Sequence, residues 1–562
     1  MRAKHFVKRV SALFLAAATV VIGVGGMTGA EELPYTTYNY NYWEDIVYTP
    51  AAYEPDFSRT GNNLTYDGEP IGAFVTPQDM CVSDDGKIYL ADTGNNRIVI
   101  MDAKMTKVLN IISSFDNNGT EDTFKQPTGV AVSESNQLYI ADSQNNRIVV
   151  LNEDDSLARI VDNPTAEVLE DGFVFVPLKV TVDYADRVYC IAQNMFEGIM
   201  VFETNGEFTG FFGTINVEIT LWERFWRKLA SKEERAKSQL FIPTEFTGVD
   251  IDPDGFVYAS NIDANGIQGV RRLNPKGEDV IKKGTNENLG GDLQIDGTTD
   301  YSGPSQFIDV VYREHGIYSC LDRKRGRIFT YDHEGNLLYI FGGLGTQEGT
   351  FQLPTAIEDI GGDLLVLDAT TAKVTYFKTT EYGRLINEAV GLRFDGDEAE
   401  AVDLWRQVLL LDENNELANT GIGKAYLTAG DYESAMKYLK LGMAREYYSV
   451  AYKRYRNDYL TAHANVYLTV LIVLIILIVV FVQLKKRGII HFEFKKRAPV
   501  NVDWQSNMFE HEGEGGLLDR IANKEAENKE AENEEAESKE AENKEAENND
   551  NTETEKGDEQ NA

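Results

Sequence analysis

The stretch ADTGNNRI at 91–98 returns as ADSQNNRI at 141–148, about 50 residues later, and a fixed period of that size marks a repeat architecture. Each copy follows the same order: a proline, a short apolar run, a polar turn (Ser83-Asp84-Asp85-Gly86; Ser133-Glu134-Ser135-Asn136), an alternating strand, then the Asp…Arg-Ile loop. The same template predicts weaker copies opening at Pro177, Pro243, Pro304 and Pro354, with Gln193, Asn261, Asp322 and Asp368 at the loop position. Asp322 and Asp368 keep a base five residues on, at Arg327 and Lys373, as Asp92 does with Arg97 and Asp142 with Arg147. A unit of three or four short strands buries its faces only against its neighbours, so six copies predict an all-β, six-bladed propeller over 71–380.

The segment Pro127-Thr128-Gly129-Val130-Ala131-Val132 to Ile148 resembles the NHL repeat family, whose pattern runs P-x-G-V-A-V…Y-V-A-D-x-x-N-N-R-I. The resemblance is close for two blades, fair for the fifth and sixth, and positional for the third and fourth. Acid and arginine five apart across a turn can bridge each other, and the Asn-Asn between them tolerates positive φ, so Asp92, Arg97, Asp142, Arg147, Asp322, Arg327, Asp368 and Lys373 read as structural repeat loops.

Some propellers of this resemblance are enzymes, either lyases with histidine-bound zinc or lactonases with calcium held by acids and amides on the ring axis. Only His315 and His333 fall in the propeller, too few for a three-histidine zinc centre. A lactonase-type hydrolase remains the alternative, because Asp79, Lys179, Asp309 and Glu358 stand near the inner-strand starts. No nucleophile elbow or phosphate-binding loop occurs, and the expectation is no enzyme, no cofactor and no metal. Asp250-Ile251-Asp252-Pro253-Asp254-Gly255 imitates the start of an EF-hand loop but lacks the glutamate at position twelve, and reads as a hairpin turn.

Residues 1–30 read as a signal peptide, with Arg2, Lys4, Lys8 and Arg9 before an apolar core and a small-residue cleavage site. The tyrosine-rich extension 31–70 reads as a propeller-closing strand or as a stacking surface for sugars. Cys81, Cys190 and Cys320 lie in blade strands without C-x-x-C spacing and read as buried small hydrophobes.

An insertion at 218–238 is of another kind. Leu221, Trp222, Phe225, Trp226 and Leu229 share one helical face with bases around it, which predicts a basic amphipathic helix that caps the propeller, lies on a membrane or binds a partner. Beyond Phe377 the apolar period changes from two to 3.6. Gly396-Asp397 with Ala401 and Trp405, then Gly430-Asp431 with Ala435 and Leu439, resemble two tetratricopeptide repeats over 381–449, used as a rigid stalk.

A juxtamembrane helix over 450–465 leads to an apolar stretch at 466–484, long enough to span a bilayer. Lys485, Lys486 and Arg487 follow and place the 485–562 tail in the cytoplasm by the positive-inside rule. That tail repeats an acidic NKEAE unit and is low in complexity. The chain's net charge of −37 excludes nucleic acid as a partner. Together these features predict a single-pass protein of the cell membrane, its propeller and helical repeats extracellular. Its expected role is an interaction scaffold for protein partners at the membrane, transporter or envelope components among them, since the resemblance includes bacterial surface proteins that accompany carbohydrate transporters.

Overall fold

The structure is a computed structural model and describes residues 33–169, 172–213, 245–263, 269–284, 289, 291–292 and 303–489. The signal-peptide segment, the amphipathic insertion with Leu221, Trp222, Phe225, Trp226 and Leu229, and the acidic tail lie outside the described residues.

The repeats form antiparallel meanders. Five blades are complete with four strands each, at 79–112, 127–161, 177–212, 307–344, and 354–379 joined by Tyr53–Arg59. The sheet in the fourth position has three strands, Phe246–Ile251, Val257–Asn261 and Val270–Leu273. This corrects the expectation of six blades to five complete ones and a three-stranded sheet: no fourth strand pairs with Val270–Leu273 among the described residues, where Leu273 makes an isolated bridge to Asp279. The inner strands neighbour one another in a closed cycle.

Local chemistry explains the meanders. In the first hairpin Gly86 takes φ 77°, and in the second Asn136 takes φ 59°, each donating its N–H to the serine that opens the turn. Hydroxyls stitch blade to blade: Thr93 donates to the Pro127 carbonyl at 2.7 Å, Ser143 to Pro177 at 2.6 Å and Thr247 to Phe307 at 2.8 Å. Asp252 turns its hairpin back on itself, accepting from the Phe256 N–H at 2.8 Å and pairing with Arg272 at 2.9 Å. The imitation of a calcium loop is therefore a turn closed by an arginine.

The chain's beginning finishes sheets begun near its end. Tyr53–Arg59 pairs antiparallel with Lys373–Thr379 as the outer strand of the last blade. Tyr38–Tyr40 adds outside the fifth blade and forms a hairpin with Ile46–Tyr48.

Five helices follow: α1 Glu381–Asp395, α2 Glu398–Leu411, α3 Glu416–Ala429, α4 Tyr432–Leu441 and α5 Arg445–Ala462. Thr380, Asn415 and Asp431 cap the N-termini of α1, α3 and α4, and Gly396 and Gly430 end α1 and α3 with positive φ. Consecutive helices pack on each other, and Gly421 lies so close to the buried Trp405 that a Cβ there would stand 2.4 Å from the indole nitrogen. The first helix is fused to the propeller: Tyr382, Leu385, Ile386 and Ala389 share one buried cluster with Ile317, Leu338 and Phe341.

A second unit, 463–562, contains one described helix, α6 Ala464–Lys486, long and apolar enough to cross a membrane. It extends the expected span of 466–484 by two residues at each end.

Candidate functional site

Register places one inner-strand residue of every blade at an equivalent position, each opposite the residue just before the blade's loop position, which in the third blade is Ala192 and not the expected Gln193: Asp79, Gly129, Lys179, Gly248, Asp309 and Ala356. Large charged residues alternate with small ones around the cycle. Gly129 and Gly248 have no room for more, since a Cβ would stand 2.7 Å from the Leu178 carbonyl oxygen and 2.4 Å from Asp309 Oδ1 respectively.

Three non-adjacent blades meet in one place. Lys179 Nζ lies 2.9 Å from Asp79 Oδ1 and 2.8 Å from Asp309 Oδ1, contacts that strands from the first, third and fifth blades can make only across the axis. The other carboxylate oxygens are also taken: Asp79 Oδ2 accepts from the Val130 N–H at 3.1 Å, and Asp309 Oδ2 from Ile357 at 3.0 Å. Each acid thus staples its own inner strand to the next.

Two residues further along, Asp250 and Glu358 add two more acids. Asp250 accepts from the Tyr312 N–H at 2.6 Å, again the next blade. Burial pushes Asp250 up to about 7, its backbone donors pulling the other way. Burial likewise lifts Asp79 to about 6 against the pull of Lys179, and raises Glu358 well above the ordinary carboxylate range with Asp250, Asp309 and Asp79 adding to it. Burial alone would lower Lys179, but Asp309 and Asp79 outweigh it and the ammonium is held more firmly than in water. A lysine so held is a poor base and a poor nucleophile.

The axis does not fit a calcium ion. The ammonium of Lys179 occupies the position between Asp79 and Asp309 that a cation would take, and no group of three or more His, Cys, Asp or Glu side chains among the described residues is arranged to hold a metal. Asp79, Lys179, Asp309 and Glu358 are brought together as the sequence alternative asked, but with Lys179 paired to Asp79 and Asp309. Asp250 was assigned to a turn by sequence; aligning the blades by register would have found it on the axis, two residues beyond Gly248.

The repeat loops divide into two kinds. In the first blade Asp92 accepts from the Val75 N–H at 2.7 Å, from Asn95 Nδ2 at 2.8 Å and from Arg97 Nε at 2.7 Å. In the second Asp142 repeats this with Lys125, Asn145 and Arg147, whose far nitrogens reach Asp122. Asn96 and Asn146 take φ 55° and 57°.

The fifth and sixth loops correct the expectation. Arg327 turns away from Asp322 to Asp292 and to the Tyr38 hydroxyl on the added N-terminal strand, and Asp322 instead faces Arg325 at 3.8 Å. In the last blade Asp368 is satisfied by the N–H groups of Gln352, Leu353 and Thr371, and Lys373, a single-point donor without a fork, makes no ion pair among the described residues.

Comparison with protein families matches the NHL repeat at residues 74–101 and 124–151, the first and second blades. No curated protein matches the chain. Among solved structures, the chain is similar to virginiamycin B lyase from Staphylococcus aureus at 12% identity and TM-score 0.36, covering 58% of this chain and 99% of that one. Hydrazine synthase from Kuenenia stuttgartiensis aligns at 11% identity and TM-score 0.35, covering 56% and 99%. A protein of unknown function from Bacteroides thetaiotaomicron aligns at 14% identity and TM-score 0.38, covering 57% and 76%. At this distance the likeness is one of fold.

Proposed function

We propose that the chain is a membrane-anchored extracellular interaction scaffold that works by binding rather than by catalysis. The observation that carries this reading is the rigid fusion of propeller to helices. Arg313, buried between them, pairs with Asp359 at 2.8 Å and donates to the hydroxyls of Tyr339 and Tyr53, which in turn bond Asn387 on α1. Such a platform, followed by one apolar helix ending in Lys485, Lys486 and Arg487, suits a protein that displays surfaces outside the cell and holds its C-terminal tail inside.

In this reading a signal peptide at 1–30 exports the chain, and α1 to α4 act as two tetratricopeptide-like pairs. Protein partners at the membrane, transporter or envelope components among them, dock on the propeller and on the insertion carrying Leu221, Trp222, Phe225, Trp226 and Leu229. The lactonase reading is disfavoured by the ammonium of Lys179, which holds the position between Asp79 and Asp309.

Capture experiments test the scaffold. Crosslinking in intact cells followed by purification of the full chain should recover membrane proteins, and replacing both Trp222 and Trp226 with alanine should abolish recovery while the propeller's melting temperature falls little. Undiminished recovery from the double variant would remove the insertion from the interface.

A further inference from the structure

Away from the axis, a cleft of about 630 Å³ opens between the N-terminal hairpin, the edge of the fifth blade and the start of α3, within the size range of ligand sites. Its rim is a built loop. Asn41 Oδ1 accepts from the N–H groups of both Trp43 and Asp45 at 2.9 Å, and Glu44 takes φ 64°. The Tyr42 N–H donates to Glu416 Oε2 at 3.0 Å, tying the loop to α3. Trp43 is 69% exposed, edge-on to Tyr42 at 5.1 Å between ring centres. A large aromatic held out of the core by an ordered turn is a contact surface more than a packing element.

The acids of the cleft differ from the ion-paired acids of the blades. Asp92, Asp122, Asp252, Asp359 and Glu334 each have an internal arginine or lysine. Glu44, Asp45, Asp412 and Glu416 line the cleft, and none makes an ion pair among the described residues; among these residues Lys283 is the one base in the lining. Glu416 is half-buried with the Tyr42 N–H as its charge-stabilising donor, and burial lifts it above the ordinary range. A carboxylate so placed gains from an incoming cation. Anionic ligands are repelled by the same four groups. Asn39 spends its amide on Leu337, Leu338 and Tyr40, but the Nδ2 of Asn41 and the amide of Asn414 also line the cleft and can pair with a peptide backbone.

We propose that this cleft binds a short basic peptide segment, with a lysine or arginine side chain between Glu416 and Asp45 and its alkyl stem or guanidinium against the Trp43 ring. The inference goes beyond the scaffold reading and stands whichever way the chain is oriented in a membrane.

The test is titration calorimetry of the full chain in detergent micelles with acetylated, amidated trilysine, with putrescine and cellotriose as the competing probes. Trilysine should bind, weaken at least tenfold between about 0.05 and 0.5 M salt through screening, and weaken at least tenfold in Trp43→Ala and in Glu416→Gln. Trp43 is exposed, and the amide introduced by Glu416→Gln keeps an acceptor oxygen for the Tyr42 N–H, so neither change threatens the fold. Asp403→Asn on the exposed face of α2 should leave binding as it was. Absence of trilysine binding, equal binding by putrescine, binding of cellotriose in its place, or indifference to both variants would each overturn the proposal.

Discussion

Asp250 shows how one residue on a propeller axis trades charge for connection. Its carboxylate satisfies the Tyr312 N–H of the next blade, with no ion pair among the described residues, and burial raises it to about 7. The sign of the consequence is fixed. Between the unfolded value near 4 and the folded value near 7 the native state holds a proton that the unfolded chain has released, so stability falls as pH rises through that window and levels off above it. Asp79, raised to about 6, acts in the same direction, whereas Asp122, held down to about 2 by Arg147, has its effect below the window. Chemical denaturation from about pH 4 to 8 should show this decline, and Asp250→Asn should make it shallower. A midpoint that climbs with pH, or a slope the substitution does not touch, would contradict the assignment. The residues themselves were visible in sequence; what hid Asp250 was the Asp-rich turn after it, because only strand register separates the axial acid from the two that shape the hairpin.

At the level of elements, the helices were legible through Gly396-Asp397 and Gly430-Asp431, which mark real helix ends. Less legible was what the first helix packs against. Its apolar residues face the fifth and sixth blades, so the expected stalk is instead a layer fused to the propeller's side. Sequence periodicity reveals that a helix has a buried face without revealing its partner. Trp405 is the keystone of the α2–α3 contact, 1% exposed and pressed onto Gly421. Trp405→Ala should lower stability by about 3–5 kcal/mol in urea unfolding, the range for a large core aromatic. A loss under about 1 kcal/mol would mean that the layer is loosely held, at odds with a cavity of that size in a close-packed interior. The loop of the fifth blade escaped sequence for a related reason: the Asp-to-base spacing is intact there, but Asp292 and Tyr38, the latter nearly three hundred residues away, compete for Arg327.

For the whole molecule, the apolar helix and its basic end make orientation measurable. Protease added to wall-free protoplasts should degrade the propeller and spare the NKEAE tail, read with antibodies to each end; a tail cut from outside would reverse the proposed orientation. The fold carries a constraint of a different sort in the last blade. Its four strands come from both sides of the propeller sequence, Tyr53–Arg59 completing a sheet whose other members end at Thr379. The ring therefore acts as a clasp with a delay built into it: more than three hundred residues must emerge before the early strand meets its partner. Until then the last blade waits with an open edge at Lys373–Thr379. A ribosome stalled anywhere before the final strand would leave an unlatched ring, so the latch can close only late, once Thr379 has emerged.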